Sequence, residues 1–269
     1  MEKRRVVVTG AGMATSLGDN WEEMKQSLKA LENKVVRMDE WDRYGAGMNT
    51  RLAAPYTKDL RKYDRKKTRS MGRVSRLALQ ATDDALRMAG LIDAEGNVAE
   101  ELHNGRTGIS YGSCMGSMDA QMEFCAMLEN ADCTRMNATT YVRAMPQTAA
   151  SNLSVYFQIR GRIITTNTAC TSGSQSIGYS YEQIAYGFQD MMIAGGAEEL
   201  SAADSDIFDT LYAASTKNDT PKKTPSPFST ERDGLVIGEG GATLILEEYE
   251  HAKARGAKIY AEVAGYGAS

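Results

Sequence analysis

The chain has 269 residues, a formal net charge of −4 and two histidines. It is long enough to bury a substantial core as one large domain or two, and its weak negative charge argues against nucleic acid as the main partner. No stretch approaches the length needed to span a membrane, and no secretory signal is predicted. The four cysteines lack paired metal-ligand spacing, so we expect reduced thiols and a cytoplasmic location.

Strand and helix patterns alternate along the chain and predict an α/β fold. Strands are expected at 4–9, 107–111, 162–166, 190–194, 242–247 and 258–263, and helices at 20–31, 68–89, 117–129, 146–157, 172–186, 203–214 and 248–255. The runs MMIA at 191–194 and TLIL at 243–246 are continuously apolar, as is typical of strands covered on both faces. The polar, proline-rich segment 216–234 is predicted to be a long functional loop.

One cysteine falls between a predicted strand and a predicted helix. The residues TACTSG at 168–173 place Cys170 after the β-branched run 162–166 and before the helix expected at 172–186. A helix N-terminus offers unpaired N–H groups and the positive end of the macrodipole, which favour a thiolate. Such a thiolate is a nucleophile without a neighbouring base, whereas the alternative is a buried structural cysteine.

Segments along the whole chain resemble, in the same order, the β-ketoacyl-acyl carrier protein synthases, the condensing enzymes of the thiolase superfamily. They are RVVVTG at 5–10 with Gly12, GSCMG at 112–116, TACTSG at 168–173, AGGAE at 194–198, STKND at 215–219, Phe228, RDG at 232–234, GEG at 238–240 and EEYEHAKARG at 247–256. The resemblance implies a thiolase-like layered fold, α-β-α-β-α in the complete enzyme. This chain is expected to supply the first repeat as residues 1–256, with 257–269 as the first strand of the second.

The resemblance implies a definite reaction and no cofactor. An acyl chain moves from the phosphopantetheine thiol of acyl carrier protein to Cys170. Malonyl-acyl carrier protein then loses carbon dioxide and undergoes a Claisen condensation with the bound acyl group, in fatty-acid or related polyene or polyketide synthesis. The backbone N–H of Cys170 is expected to supply half of the oxyanion hole.

The resemblance also assigns substrate and partner residues. Met115 is expected to gate the acyl pocket, Phe208 to flank it, and Tyr141 to reach a neighbouring pocket across a homodimer or a heterodimer with another condensing-enzyme subunit. Lys66 and Arg69 match positions that receive acyl carrier protein. They lie in the segment 61–76, which has eight basic residues and one acid. A solvated helix face is the alternative for that segment.

Several groups that complete the family's catalytic set do not occur in the sequence. The resemblance implies two catalytic histidines, a lysine and a Phe-containing glycine-rich turn, and the chain is therefore predicted to be incomplete as an enzyme. Two other classes stay open. One is a non-catalytic, chain-length-type partner subunit, against which the presence of Cys170 counts. The other is a thiol hydrolase that uses Cys114 of GSCMG with His251, although the charged helix around His251 predicts a surface residue.

Overall fold

The computed structural model describes residues 3–268 and shows an alternation of strands and helices. The strands are β1 (Val6–Thr15), β2 (Val36–Arg37), β3 (Leu52–Ala54), β4 (Thr107–Gly112), β5 (Ile163–Thr166), β6 (Met191–Glu198), β7 (Ile237–Gly238), β8 (Gly240–Glu248) and β9 (Ala261–Val263). The helices are α1 (Trp21–Lys29), α2 (Arg65–Thr68), α3 (Arg73–Met88), α4 (Met118–Asn130), α5 (Ala138–Ala144), α6 (Thr148–Phe157), α7 (Ser172–Ala185), α8 (Ala202–Thr210) and α9 (Tyr249–Ala254). None of the helices within residues 3–268 combines the length and apolar character needed to cross a bilayer.

The chain forms two compact units. The larger contains residues up to Ala14, Asp59–Glu198 and residues from Gly241 onward, and the smaller contains Thr15–Lys58 and Glu199–Gly240.

A six-stranded sheet in the order β5-β4-β6-β8-β1-β9 forms the centre of the larger unit. Strand β4 pairs in parallel with β5 and β6, and its last residue, Gly112, is level with Thr166 and Gly196. The carboxyl ends of these three strands therefore share one edge of the sheet. Strand β8 runs the other way, because the N–H at its end, on Glu248, donates to the carbonyl of Asp190 just before β6 (2.8 Å).

The core lies on both faces of this sheet. Met192 and Ala194 pack with Tyr181 and Ile184 of α7, while the alternate residues of β6 are buried on the opposite face. This burial explains the continuous apolar run predicted for the strand. Strand β9 pairs antiparallel with β1 at the sheet edge. The expected domain boundary between residues 256 and 257 remains a prediction.

The smaller unit contains a three-stranded sheet in the order β2-β3-β7. Its apolar cluster consists of Trp41, Met48 and Ala53, with Leu200 and Ala202 packed against it. The segment 216–234 belongs to this unit and is a loop that contains one short 3₁₀ helix, Pro221–Lys223. The prediction of a long loop is thus confirmed, and its functional role stays a prediction.

The prediction of one continuous helix at 68–89 is wrong. The helix expected at 68–89 is divided, because α2 ends at Thr68 and α3 begins at Arg73. Asp64 caps α2 by accepting a hydrogen bond from the Lys66 N–H (2.8 Å), so this short helix has its own N-cap residue.

Candidate active site

Cys170 is exposed on the turn that connects β5 to α7. The helix begins at Ser172 with Thr171 as its N-cap, so Cys170 lies one residue before the cap. The sequence correctly predicted the strand, the cysteine and the helix in this order. The predicted first residue of the helix, 172, is also the first residue of α7 in the structure.

Hydrogen bonds on both sides of Cys170 hold this turn in place. The buried Ser172 hydroxyl accepts from the Thr168 N–H (2.9 Å) and donates to the Ala169 carbonyl (2.7 Å). The Thr171 hydroxyl donates to the Thr168 carbonyl (2.8 Å). These short side chains close local rings with the backbone, which fixes the position of Cys170 while leaving it open to solvent.

Ala169 takes a left-handed backbone conformation beside the cysteine. Its φ is +52°, a region that costs a residue with a Cβ roughly 1–2 kcal/mol. Strain of this kind persists where the surrounding contacts determine the backbone, and it is concentrated at functional sites. The left-handed residue sets the direction of the backbone directly before Cys170.

Glycines bring the start of α7 directly onto the sheet. A Cβ on Gly112 would lie 2.7 Å from the backbone carbonyl of Ser172, and one on Gly196 would lie 3.1 Å from the Cα of Gly173. Ser176 secures the same contact, since its hydroxyl donates to the Ser110 carbonyl (2.5 Å) and accepts from the Gly195 N–H (3.1 Å). The cysteine turn is consequently attached to the carboxyl edge of β4 and β6.

Met115 lies on a second turn at this edge, and Glu198 holds that turn. The Glu198 carboxylate accepts hydrogen bonds from the Ser113 hydroxyl (3.1 Å) and from the backbone N–H groups of Cys114 (2.5 Å) and Met115 (3.3 Å). Sequence reasoning gave Glu198 no role. The sequence did contain a signal for this role, namely an acidic residue at the end of a predicted buried strand. A buried carboxylate needs hydrogen-bond donors, and the N–H groups of a glycine-bounded turn such as GSCMG can supply them.

The Cys114 hydrolase hypothesis is wrong, because Cys114 and His251 lie at opposite ends of the sheet. Cys114 follows the carboxyl end of β4, whereas His251 follows Glu248, whose N–H reaches Asp190 at the amino end of β6. The six residues of β4 alone span about 20 Å. His103 precedes β4 and also lies at the amino end. Residues 3–268 contain no cluster of three or more His, Cys, Asp or Glu suited to a metal.

His251 has a structural role instead. Its Nδ1 lies 2.6 Å from Oε1 of the fully buried Glu247, and Arg255 contacts the same carboxylate through Nε and Nη2, each at 2.7 Å. A buried carboxylate needs partners of this kind. The histidine is therefore used to anchor α9 to the end of β8.

The other predicted pocket residues lie on two different helices. Tyr141 is 59% exposed on α5, whose N-terminus Asn137 caps, while Phe208 is half-buried on α8 in the smaller unit. The gating and flanking roles of Met115 and Phe208, and the cross-subunit role of Tyr141, stay predictions.

The predicted carrier-binding residues are exposed on and beside α2. Lys66 lies in the helix and Arg69 follows it, and neither forms an ion pair in the described part of the chain. Arg61, at the start of the same basic segment, is instead paired with Asp83 (2.7 Å) and Asp84 (2.9 Å). Within the described residues, Lys66 and Arg69 are thus exposed cations without ion pairs on and beside α2.

An exposed cysteine on a strained turn, fixed to the carboxyl edge of an α/β sheet, defines a protein of the thiolase-like class. Residues 3–252 match the family model described as Beta-ketoacyl synthase, N-terminal domain. The chain belongs to this family, and the thiolase-like fold implied by its sequence is confirmed.

The relatives show how much of a complete protein this chain represents. It is 38% identical to 3-oxoacyl-[acyl-carrier-protein] synthase 2 of Vibrio cholerae, over 100% of this chain and 64% of that protein. A β-ketoacyl synthase from Burkholderia phymatum superposes with a TM-score of 0.92 at 52% identity, over 97% of this chain and 63% of that one. A ketosynthase in complex with a type II PKS acyl-carrier protein gives a TM-score of 0.79 at 30% identity, over 98% and 62%. The chain therefore spans less than two thirds of these relatives.

Proposed function

We propose that this chain carries the nucleophile of a 3-oxoacyl-acyl carrier protein synthase. The Cys170 thiolate attacks the carbonyl carbon of an acyl thioester, a new C–S bond forms, and the bond to the phosphopantetheine sulfur breaks to release the carrier thiol. The observation that supports this proposal is the exposed Cys170 on a hydrogen-bonded turn at the N-terminus of α7. The Cys170 N–H and the α7 dipole would stabilise negative charge as it develops on the carbonyl oxygen.

The second reaction is a decarboxylative Claisen condensation. The malonyl thioester loses carbon dioxide, and the resulting enolate attacks the acyl group on Cys170. A carbon–carbon bond forms as the cysteine thiolate leaves, which gives a 3-oxoacyl product two carbons longer. This step needs donors that polarise the malonyl carbonyl, but His103 and His251 lie at the other end of the sheet from Cys170.

The proposal includes an acyl carrier protein partner and a homodimer or heterodimer with another condensing subunit. The related ketosynthase solved with its acyl-carrier protein supports the first, and the exposed Tyr141 is compatible with a cross-subunit contact. Thioester exchange uses the phosphopantetheine of the substrates and needs no further cofactor. The four free cysteines suit a reducing compartment, so we place the activity in the cytoplasm.

A non-catalytic, chain-length-type partner subunit is the second candidate. The features around Cys170 oppose it, because a subunit without acyl transfer has no need of an exposed thiol on a strained turn. If the chain were such a subunit, Cys170 would react like an ordinary surface thiol.

Iodoacetamide labelling at neutral pH distinguishes the candidates. Cys125 and Cys133 are exposed and serve as internal reference thiols, and peptide mass spectrometry gives the labelling rate of each cysteine. We expect Cys170 to react fastest. A Cys170 rate equal to those of the reference thiols would instead support the non-catalytic subunit.

A further inference from the structure

An open pocket of about 420 Å³ in the larger unit is lined mainly by arginines. Its lining residues include Gly72, Asp119 and four arginines, namely Arg69, Arg73, Arg76 and Arg143. The volume falls in the range of small-molecule sites. Guanidinium groups that no carboxylate offsets would give this arginine pocket a preference for anions.

Two of these arginines have charges that no carboxylate offsets. Arg143 is already paired with Asp119 (2.7 Å) and Glu123 (2.8 Å), which orients it at the wall. Arg76 donates through Nε to the Met71 carbonyl (3.3 Å), and within residues 3–268 neither Arg76 nor Arg69 makes an ion pair. The pocket thus holds about two uncompensated positive charges.

The N-terminus of α3 strengthens the same preference. Gly72 is the N-cap of this 16-residue helix, and the Ser117 hydroxyl accepts a hydrogen bond from the Val74 N–H (3.4 Å). Because Gly72 lines the pocket, the positive end of the helix dipole lies beside the arginines.

We propose that the arginine pocket binds the dianionic phosphate of a small phosphomonoester. Two uncompensated guanidinium groups match a charge of −2, and arginine binds phosphate oxygens through paired, charge-assisted hydrogen bonds. A carboxylate would offset only one of the two charges. This site shares Arg69 with the predicted carrier-binding pair, but it does not involve Cys170.

Calorimetric titration of the full 269-residue chain tests this assignment. Inorganic phosphate is the first probe, and coenzyme A is compared with dephospho-coenzyme A, which lacks the phosphomonoester. We expect saturable phosphate binding, tighter binding of coenzyme A than of its dephospho form, and weaker binding below about pH 6, where the phosphomonoester takes up a proton. Equal affinity for both coenzyme A forms, or no saturation at millimolar phosphate, would overturn the proposal.

Arg76 provides the decisive variant because it is outside the predicted carrier-binding pair. Arg76→Gln should weaken phosphate binding about tenfold to a hundredfold, and Arg76→Lys should restore part of it. Arg160→Gln removes the same charge from an exposed arginine outside the pocket lining and should change nothing.

Cys170→Ala should bind phosphate normally even if it abolishes acylation, so failure of the proposed enzyme activity leaves this test intact. Unaltered phosphate binding in Arg76→Gln would contradict the assignment. If that variant instead loses affinity for acyl carrier protein alone, the pocket is a protein-docking surface and the assignment is wrong.

Discussion

The position and exposure of the Cys170 thiol are set by the residues next to it. Ala169 occupies a left-handed conformation, and the Ser172 hydroxyl bonds to both Thr168 and Ala169. Together these contacts fix the thiol at the end of α7. The reactivity of Cys170 should therefore respond to changes that leave the thiol itself intact.

A matched pair of substitutions at Ala169 tests this dependence. Ala169→Val should destabilise the protein by about 2 kcal/mol and slow acylation of Cys170, because a β-branched residue is strongly disfavoured at positive φ. Ala169→Gly should stay within about 1 kcal/mol of the original chain, since relief of strain and added unfolded-state entropy nearly cancel. Thermal unfolding and labelling rates measure both effects. Equal stabilities and equal labelling rates of the two variants would contradict the claim that the backbone conformation of Ala169 controls the reactivity of Cys170.

Asp190 gives the larger unit a defined pH dependence. Hydrogen bonds and charge from Arg106, and then from Arg4, lower the pKa of this half-buried carboxyl to about 2. The ionised form is therefore favoured by folding, so its stabilisation is complete above about pH 4 and is lost as the pH falls towards 2. Asp190→Asn should cost about 1–2 kcal/mol at neutral pH, after allowance for solvent screening.

Urea unfolding at pH 7, 4 and 2.5 checks the prediction for Asp190. The stability difference between the original chain and Asp190→Asn should shrink across this series. A difference that is independent of pH would show that the ion pairs contribute nothing measurable.

Secondary-structure elements place the cysteine turn, and most of them were predictable from the sequence. Strands β5, β6 and β8 carry β-branched or continuous apolar runs, and α7 has helical spacing after TACTSG. The short strands β2, β3 and β7 were missed because two or three residues have no detectable periodicity. The role of Glu198 and the separation of His251 from Cys114 were not predictable, since both depend on strand order and direction.

Helix α2 has an excess of unpaired positive charge that suits an acidic partner. We expect Lys66→Glu combined with Arg69→Glu to slow association with acyl carrier protein about tenfold or more at low salt, and less at high salt, because exposed charges are screened. Arg160→Glu serves as a control at an exposed site away from α2. Stopped-flow association measures the rates, and acylation by a small thioester should be nearly unaffected. Equal loss with both substrates would show that the segment is structural.

At the scale of the whole molecule, the proposed nucleophile and the two histidines are separated. His103 and His251 lie at the amino ends of β4 and β6, and Cys170 lies at the carboxyl edge. The same 269 residues correspond to 64% of the Vibrio cholerae synthase. In the proposed reaction, acyl transfer would use the local geometry of Cys170, whereas condensation would need further donors at the carboxyl edge.

The 269-residue chain alone should therefore load an acyl group but not elongate it. Loss of one transition-state donor typically costs a factor of about 10² to 10³, so loss of several should leave condensation undetectable. Product analysis with acyl- and malonyl-acyl carrier protein measures this, with the Vibrio cholerae relative as a positive control. Elongation by the chain alone would require catalytic groups other than those recognised at this edge.

The identity of the acylated residue tests the central claim most directly. The chain is incubated with acyl-acyl carrier protein, and the acyl mass is located by intact-protein and peptide mass spectrometry. We predict acylation at Cys170 that is abolished in Cys170→Ala and largely retained in Cys114→Ser. Covalent acylation that persists in Cys170→Ala would contradict the account.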